Sequence, residues 1–92
     1  MSSAPLSEAE ATERTLREQL ADLVRARSRA EREARRLADR GSLPGADASL
    51  DEIAERYRTQ AGRLGEEVDG LRTSLREQEA RVEHLRAEAS GA

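Results

Sequence analysis

Apolar and small residues recur along this 92-residue chain in steps of alternating three and four. One run reads Leu6, Ala9, Glu13, Leu16, Leu20, Leu23, Arg27, Ala30, Ala34, Leu37. The other reads Leu50, Ala54, Tyr57, Ala61, Leu64, Val68, Leu71, Leu75, Gln78, Val82, Leu85. Both follow the a and d positions of a heptad, which keep one seam of a helix turned toward a partner helix. The pattern predicts two long helices separated by one break. Folding the chain back at the break pairs the two runs so that partner numbers always sum to 91. The expected fold is therefore all-α: a two-helix antiparallel coiled-coil hairpin.

The element boundaries follow from local chemistry. Residues 1–6 read as a flexible N-terminal lead. Ser7 and Glu10 have capping-box spacing, so the first helix is expected over 7–40, with Leu6 stapling its start. Gly41 is suited to a left-handed helix end, and Arg35, Arg36 and Arg40 favour the negative end of the helix dipole. Residues 41–48 form the connection. Within it Pro44 presets φ and Gly45 tolerates positive φ. Ser49 and Glu52 repeat the capping box, so the second helix is expected over 49–89, and residues 90–92 as a flexible C-terminus. An eight-residue connection suits antiparallel neighbouring helices.

The seam has a readable construction. Leu16, Leu20 and Leu23 face Leu75, Leu71 and Val68, giving three aliphatic layers expected to be the firmest. Nearer the connection, Leu37 faces Ala54, Ala34 faces Tyr57, and Ala30 faces Ala61, so volumes compensate. Arg27 lies opposite Leu64 and can keep its guanidinium in water. Glu13 opposite Gln78 is a polar layer of the kind that fixes register. Gly62, Gly65 and Gly70 fall at b, e and c, off the seam. Ala26, Ala30, Ala61 and Gly65, with Ala26 and Gly65 taken as partners under the same sum, predict a narrow waist, read as a close-packed or slightly bent stretch or, alternatively, as a docking groove for another helix. Val24 and Ile53, at e and g, widen the apolar stripe.

Composition narrows the class. Charged residues make up 38%, and the only aromatic is Tyr57. That profile belongs to long helices and coiled coils. Disorder shares the high charge, but a disordered chain has no reason to keep apolar phase. A seam this thin lacks the volume for a self-sufficient core, so the hairpin is expected to self-associate, as a homodimer forming a four-helix bundle, or to pack on another helical protein. There is no cysteine, hence no disulfide framework. All 16 basic residues are Arg, which together with abundant Ala suggests a high-GC bacterial coding sequence. No apolar stretch approaches the roughly 20 residues of a membrane span. Residues 1–6 do not read as a signal peptide, so a cytoplasmic protein is expected.

Candidate chemistry is sparse. Arg25, Arg29, Arg32, Arg35 and Arg36 fall at outward b, c or f positions. With Arg27 and Arg40 they make seven Arg against Glu31, Glu33 and Asp39 over residues 25–40, a net of +4. The functional reading is a phosphate-binding stripe or partner surface; the plain one is a solvated face, partly paired with the second arm, for example Glu31 with Arg58. Residues 47–92 carry seven Arg against eleven acids, a net of −4, and no aromatics interleave the arginines, so nucleic acid is not the expected partner. Asp47, Asp51 and Glu52 cluster at the tip. They read as helix caps, or by analogy of shape as the acidic tip of a factor entering the RNA polymerase secondary channel. His84, the only histidine, has no second ligand for a metal. No cofactor and no catalytic constellation is expected. In length and hairpin form the chain resembles the small secreted WXG-type proteins, but its connection carries no Trp-x-Gly, and no family is assigned. The sequence thus points to a non-catalytic interaction protein, an adaptor, scaffold or assembly factor. A nucleic-acid- or polymerase-associated factor is the alternative.

Overall fold

A computed structural model describes residues 4–91 and contains two helices, α1 (Ala4–Gly41) and α2 (Ser49–Ser90). They pack against each other as an all-α hairpin, and no strand occurs among the described residues. The hairpin divides into two compact units. One is described over residues 4–21 and 69–91, and holds the start of α1 against the end of α2. The other, Asp22–Val68, holds the end of α1, the connection and the start of α2.

Both helices begin and end by chemistry that differs in detail from the capping-box expectation. Residues 1–3 of the expected lead lie outside the described residues. Residues 4–6 are helical, so α1 starts before Ser7. Pro5 explains the earlier start: in a first turn its missing N–H is not needed and its φ is already helical. Ser7 is therefore an exposed helix residue, and Glu10 instead accepts from Arg86 at 3.1 Å.

At the other end α1 continues through Gly41. Gly45 (φ 79°), not Gly41, is the positive-φ residue among those described. The Ser42 N–H continues the helical pattern to the Ala38 carbonyl at 3.1 Å, and the Ser42 hydroxyl donates to the Asp39 carbonyl at 2.7 Å. These bonds satisfy terminal carbonyls that a left-handed glycine would otherwise help to cover. Gly41 matters for room instead. A Cβ there would lie 2.8 Å from Asp51 Oδ1 and 3.6 Å from Leu50 Cβ, at the first turn of α2.

The start of α2 is held by Asp47 rather than by a Ser49–Glu52 box. Asp47 Oδ1 accepts from the Ser49 N–H at 2.9 Å, and the Asp47 carbonyl accepts from Leu50 at 3.1 Å. Asp51 and Glu52 remain in the first turn, where they complement the helix dipole. At its far end α2 runs to Ser90, with Gly91 N–H bonded to the Ala87 carbonyl at 2.8 Å. Residue 92 of the expected C-terminal tail lies outside the described residues.

Every a and d position of the two runs is buried or half-buried. Which ones are fully covered depends on size. Among the described residues the buried apolar side chains are Ala9, Ala30, Ala34, Leu37, Ala54, Ala61, Val68 and Val82. Leu16, Leu20, Leu23, Leu64, Leu71 and Leu75 are only half-buried, as is Tyr57. A two-helix seam covers each side chain from one direction. An alanine disappears under the facing backbone, whereas the seam leucines other than Leu37 overhang the edge.

Two glycines test this backbone reading. Gly45→Ala forces a side chain into left-handed conformation and is expected to lower unfolding stability by about 1–2 kcal/mol. Gly62 is helical with nothing within 4 Å of an added Cβ, so Gly62→Ala is expected to raise stability by up to about 1 kcal/mol. Urea denaturation followed by circular dichroism measures both.

Candidate interaction surface

The seam leaves two edges on each pair of helices, one bordered by e positions and one by g positions. Their chemistry decides what each edge can do. In the unit Asp22–Val68, Val24 is exposed at 38% and Ile53 is half-buried. Ala26 and Gly65 do not meet as a waist. Ala26 shares a shallow groove with Arg29, Ala30, Glu33, Tyr57 and Gln60, on the g edge. An added Cβ on Gly65, at an e position, would meet the Arg27 guanidinium, with Cζ at 3.6 Å. The sum of 91 holds for a and d positions only; e and g residues sit on opposite sides of the seam, so one rule cannot pair across them. Gly65 thus leaves space over which Arg27 lies while bonding Glu31 at 2.8 Å.

The Glu31–Arg58 pair expected across the arms does not form. Each residue takes a partner on its own helix, Arg27 for Glu31 and Glu55 for Arg58 (2.8 Å). Pairs three or four residues apart on a helix need no second element to align them, so they form first. Both residues still line one open groove with Ala34, Arg35, Ala38 and Ala61.

The arginine face of α1 is exposed at Arg25, Arg29, Arg32 and Arg36. Arg25 pairs with Asp22, and Arg36 with Glu33. The hydrogen bond from Arg36 holds the Glu33 carboxyl below the usual range and raises the Arg36 guanidinium correspondingly. Arg29 and Arg32 form no ion pair. Arg35, equally exposed, is also unpaired, so two of the five outward arginines are neutralised by their own helix.

In the other unit the two edges differ sharply. The e edge carries the ion pairs that link the helices, Arg17 with Glu79 at 3.4 Å and Arg86 with Glu10 at 3.1 Å. Arg14, Arg72 and Arg76 lie on the same side at e and b positions, with Arg72 3.9 Å from Asp69. The g edge carries the uncharged Thr12, Thr15 and Gln19 on α1 and Gly70 and Ser74 on α2, together with Glu8, Glu77 and Arg81, all exposed. They border the half-buried Leu16, Leu20, Leu71 and Leu75.

The polar layer is also in this unit, and its two residues act separately. The Gln78 amide donates across the seam to the Ala9 carbonyl at 2.9 Å, while the buried Glu13 pairs with Arg17 at 2.6 Å. His84 is exposed and lies 3.0 Å from Glu88. Among the described residues no group of three or more His, Cys, Asp or Glu is placed to hold a metal ion, and no helix is long and apolar enough to cross a membrane. No protein family, curated protein or solved structure matches the chain.

Gln78→Ala is expected to cost about 1 kcal/mol through loss of the cross-seam bond, measured by thermal or urea unfolding. The start of α2 should be sensitive to acid. The Ser49 N–H bond holds the Asp47 carboxyl below its ordinary value, so its stabilisation is complete above the unfolded-state pKa. It is lost as pH falls through the lowered folded-state value. Asp47→Asn is expected to flatten that part of the acid limb in a titration followed by circular dichroism.

Proposed function

We propose that this protein is a non-catalytic helical interaction module that completes its core by packing against a second copy. In that form, a four-helix bundle, it acts as a scaffold or adaptor for other helical proteins. The supporting observation is the division of the seam by size. Five of the eight buried apolar side chains are alanines, and every seam leucine except Leu37 stays half-exposed. Apolar area left in water is the driving force for association, at about 25 cal/mol per Å² once covered.

The chemistry of the surface supports the same reading. Among the described residues the grooves along the helices are open and lined mainly by Arg, Glu and Ala, with Tyr57, Thr59 and Gln60 the other lining residues, and none of them is an enclosed pocket for a small molecule. Two of the five outward arginines are paired within their own helix, which leaves less charge for a phosphate partner than composition alone implies.

Self-association makes stability depend on protein concentration by mass action. Sedimentation equilibrium over an about hundredfold concentration range is expected to show the dimer mass, and the Tm is expected to rise with concentration. A folded monomer throughout, with a constant Tm, overturns the reading.

A further inference from the structure

Arg32 is the arginine that the hairpin accounts for least. Of the 16 arginines, only Arg32 and Arg40 have no acid three or four residues away along the chain. Arg40 lies in the last turn of α1, where a cation suits the helix dipole. Arg32 lies in the middle of α1, and its neighbours at those spacings are Ser28, Arg29, Arg35 and Arg36. Like charges one turn apart destabilise a helix. The hairpin does not relieve them. Arg29, Arg32 and Arg35 are exposed and take no ion pair. The acids beside Arg32 in sequence are engaged elsewhere, Glu31 by Arg27 and Glu33 by Arg36.

Arg25, Arg29, Arg32 and Arg36 advance in steps of four, three and four, so they form one line on the outer surface of α1. The same line meets Asp22 three residues before Arg25 and Asp39 three residues after Arg36. The basic stretch is therefore bounded by a carboxylate at each end.

We propose that this line, centred on Arg32, is the surface on which the module holds a partner helix bearing a row of carboxylates. The inference rests on the adaptor role proposed above and supplies the surface and the chemistry of what it holds. It does not need the second copy.

Charge selects an acidic partner. A guanidinium donates two parallel hydrogen bonds to one carboxylate. A carboxylate at Arg32 also lies within one turn of Arg29, Arg35 and Arg36, so a single anion offsets several like-charge contacts at once. Arg25 and Arg36 are already held by Asp22 and Glu33, so Arg29 and Arg32 supply most of the free capacity.

Length selects a short segment over a long polyanion. The arginines span about 16 Å of helix, and the two aspartates stand about 25 Å apart. A partner helix with acids in the same four, three, four steps meets an arginine at every step and stops short of both aspartates. A nucleic acid strand would run past both ends onto carboxylates, and the line offers no aromatic ring on which a base could stack. Exposed pairs are individually weak and screened by salt, so the affinity is expected at about 0.1–1 mM at low ionic strength.

The test uses two alanine-based helical peptides labelled with fluorescein. One carries four glutamates in steps of four, three and four. The other has the same composition with its glutamates spread around the helix. Fluorescence anisotropy at about 20 mM salt gives Kd for each. The row peptide is expected to bind at least about fivefold more tightly than the spread one, and added salt to weaken it. Arg29→Gln with Arg32→Gln removes that preference while the Tm stays level or rises, because like-charge neighbours are gone. Arg63→Gln, on α2, leaves the preference intact. Arg29→Glu with Arg32→Glu transfers it to a peptide with four lysines in the same row. Equal Kd for the two glutamate peptides, no binding of either, or a preference that survives Arg29→Gln with Arg32→Gln overturns the proposal. Tighter binding of single-stranded DNA of equal charge also overturns it. So does a changed dimer constant in sedimentation for Arg32→Gln with peptide binding kept, which assigns the face to self-association. A chain that stays monomeric yet prefers the row peptide overturns self-association and leaves this surface standing.

Discussion

Each layer of this hairpin has one side chain from each helix, and the facing helix is the only cover. That constraint sorts residues by length. Val68 and Val82 are the largest side chains that the seam hides completely. Most longer side chains extend past the facing backbone, Leu37 and Glu13 being buried exceptions, and Leu16, Leu20, Leu71 and Leu75 do so together in one unit. In a globular domain such residues would be closed over by a third element. The described residues supply none, so the same packing that defines the fold also leaves apolar surface in water. The proposed association therefore follows from the same geometric shortage that limits stability.

Polar groups set the register that the thin seam could not hold alone. Small residues slide past each other easily, because an alanine layer looks much like the next. The bond from Gln78 to the Ala9 carbonyl, with Glu13 tied to Arg17 beside it, makes one layer unlike its neighbours. The e-edge pairs at Glu10–Arg86 and Arg17–Glu79 reinforce the same alignment at a distance of one heptad. Each exposed pair contributes little by itself, at most about 1 kcal/mol. Their value is directional: a slip of a heptad would set Glu10 against Glu79, a like-charge contact.

The seam was legible in the sequence because a and d positions report on a single variable, apolar phase. The hairpin followed from that phase together with one Gly/Pro break. The edges were less legible. Ala26 and Gly65 were paired by extending the a/d rule to g and e, where left and right sides of the seam must be kept apart. Glu31 and Arg58 were matched across the arms, though partners one turn away on the same helix were nearer. The caps went astray for a related reason. Several residues near each terminus could cap, and backbone geometry chose Asp47 two positions ahead of Ser49, while Pro5 carried α1 past Ser7. Local competition among equivalent side chains is decided by a few tenths of an ångström, which spacing does not encode.

The three off-seam glycines show how such detail becomes functional information once geometry is known. In sequence they are three equal defects in α2. In the structure they separate. Gly65 leaves a place over which Arg27 lies, so its backbone is already in use. Gly62 and Gly70 face open space, but their surroundings differ. Gly62 is at a b position on the outer surface, whereas Gly70, at c, lies beside the half-buried Leu71, with the exposed Ser74 and Glu77 further along the same edge. Both weaken α2 without giving room to a side chain of the hairpin, and in that they differ from Gly65.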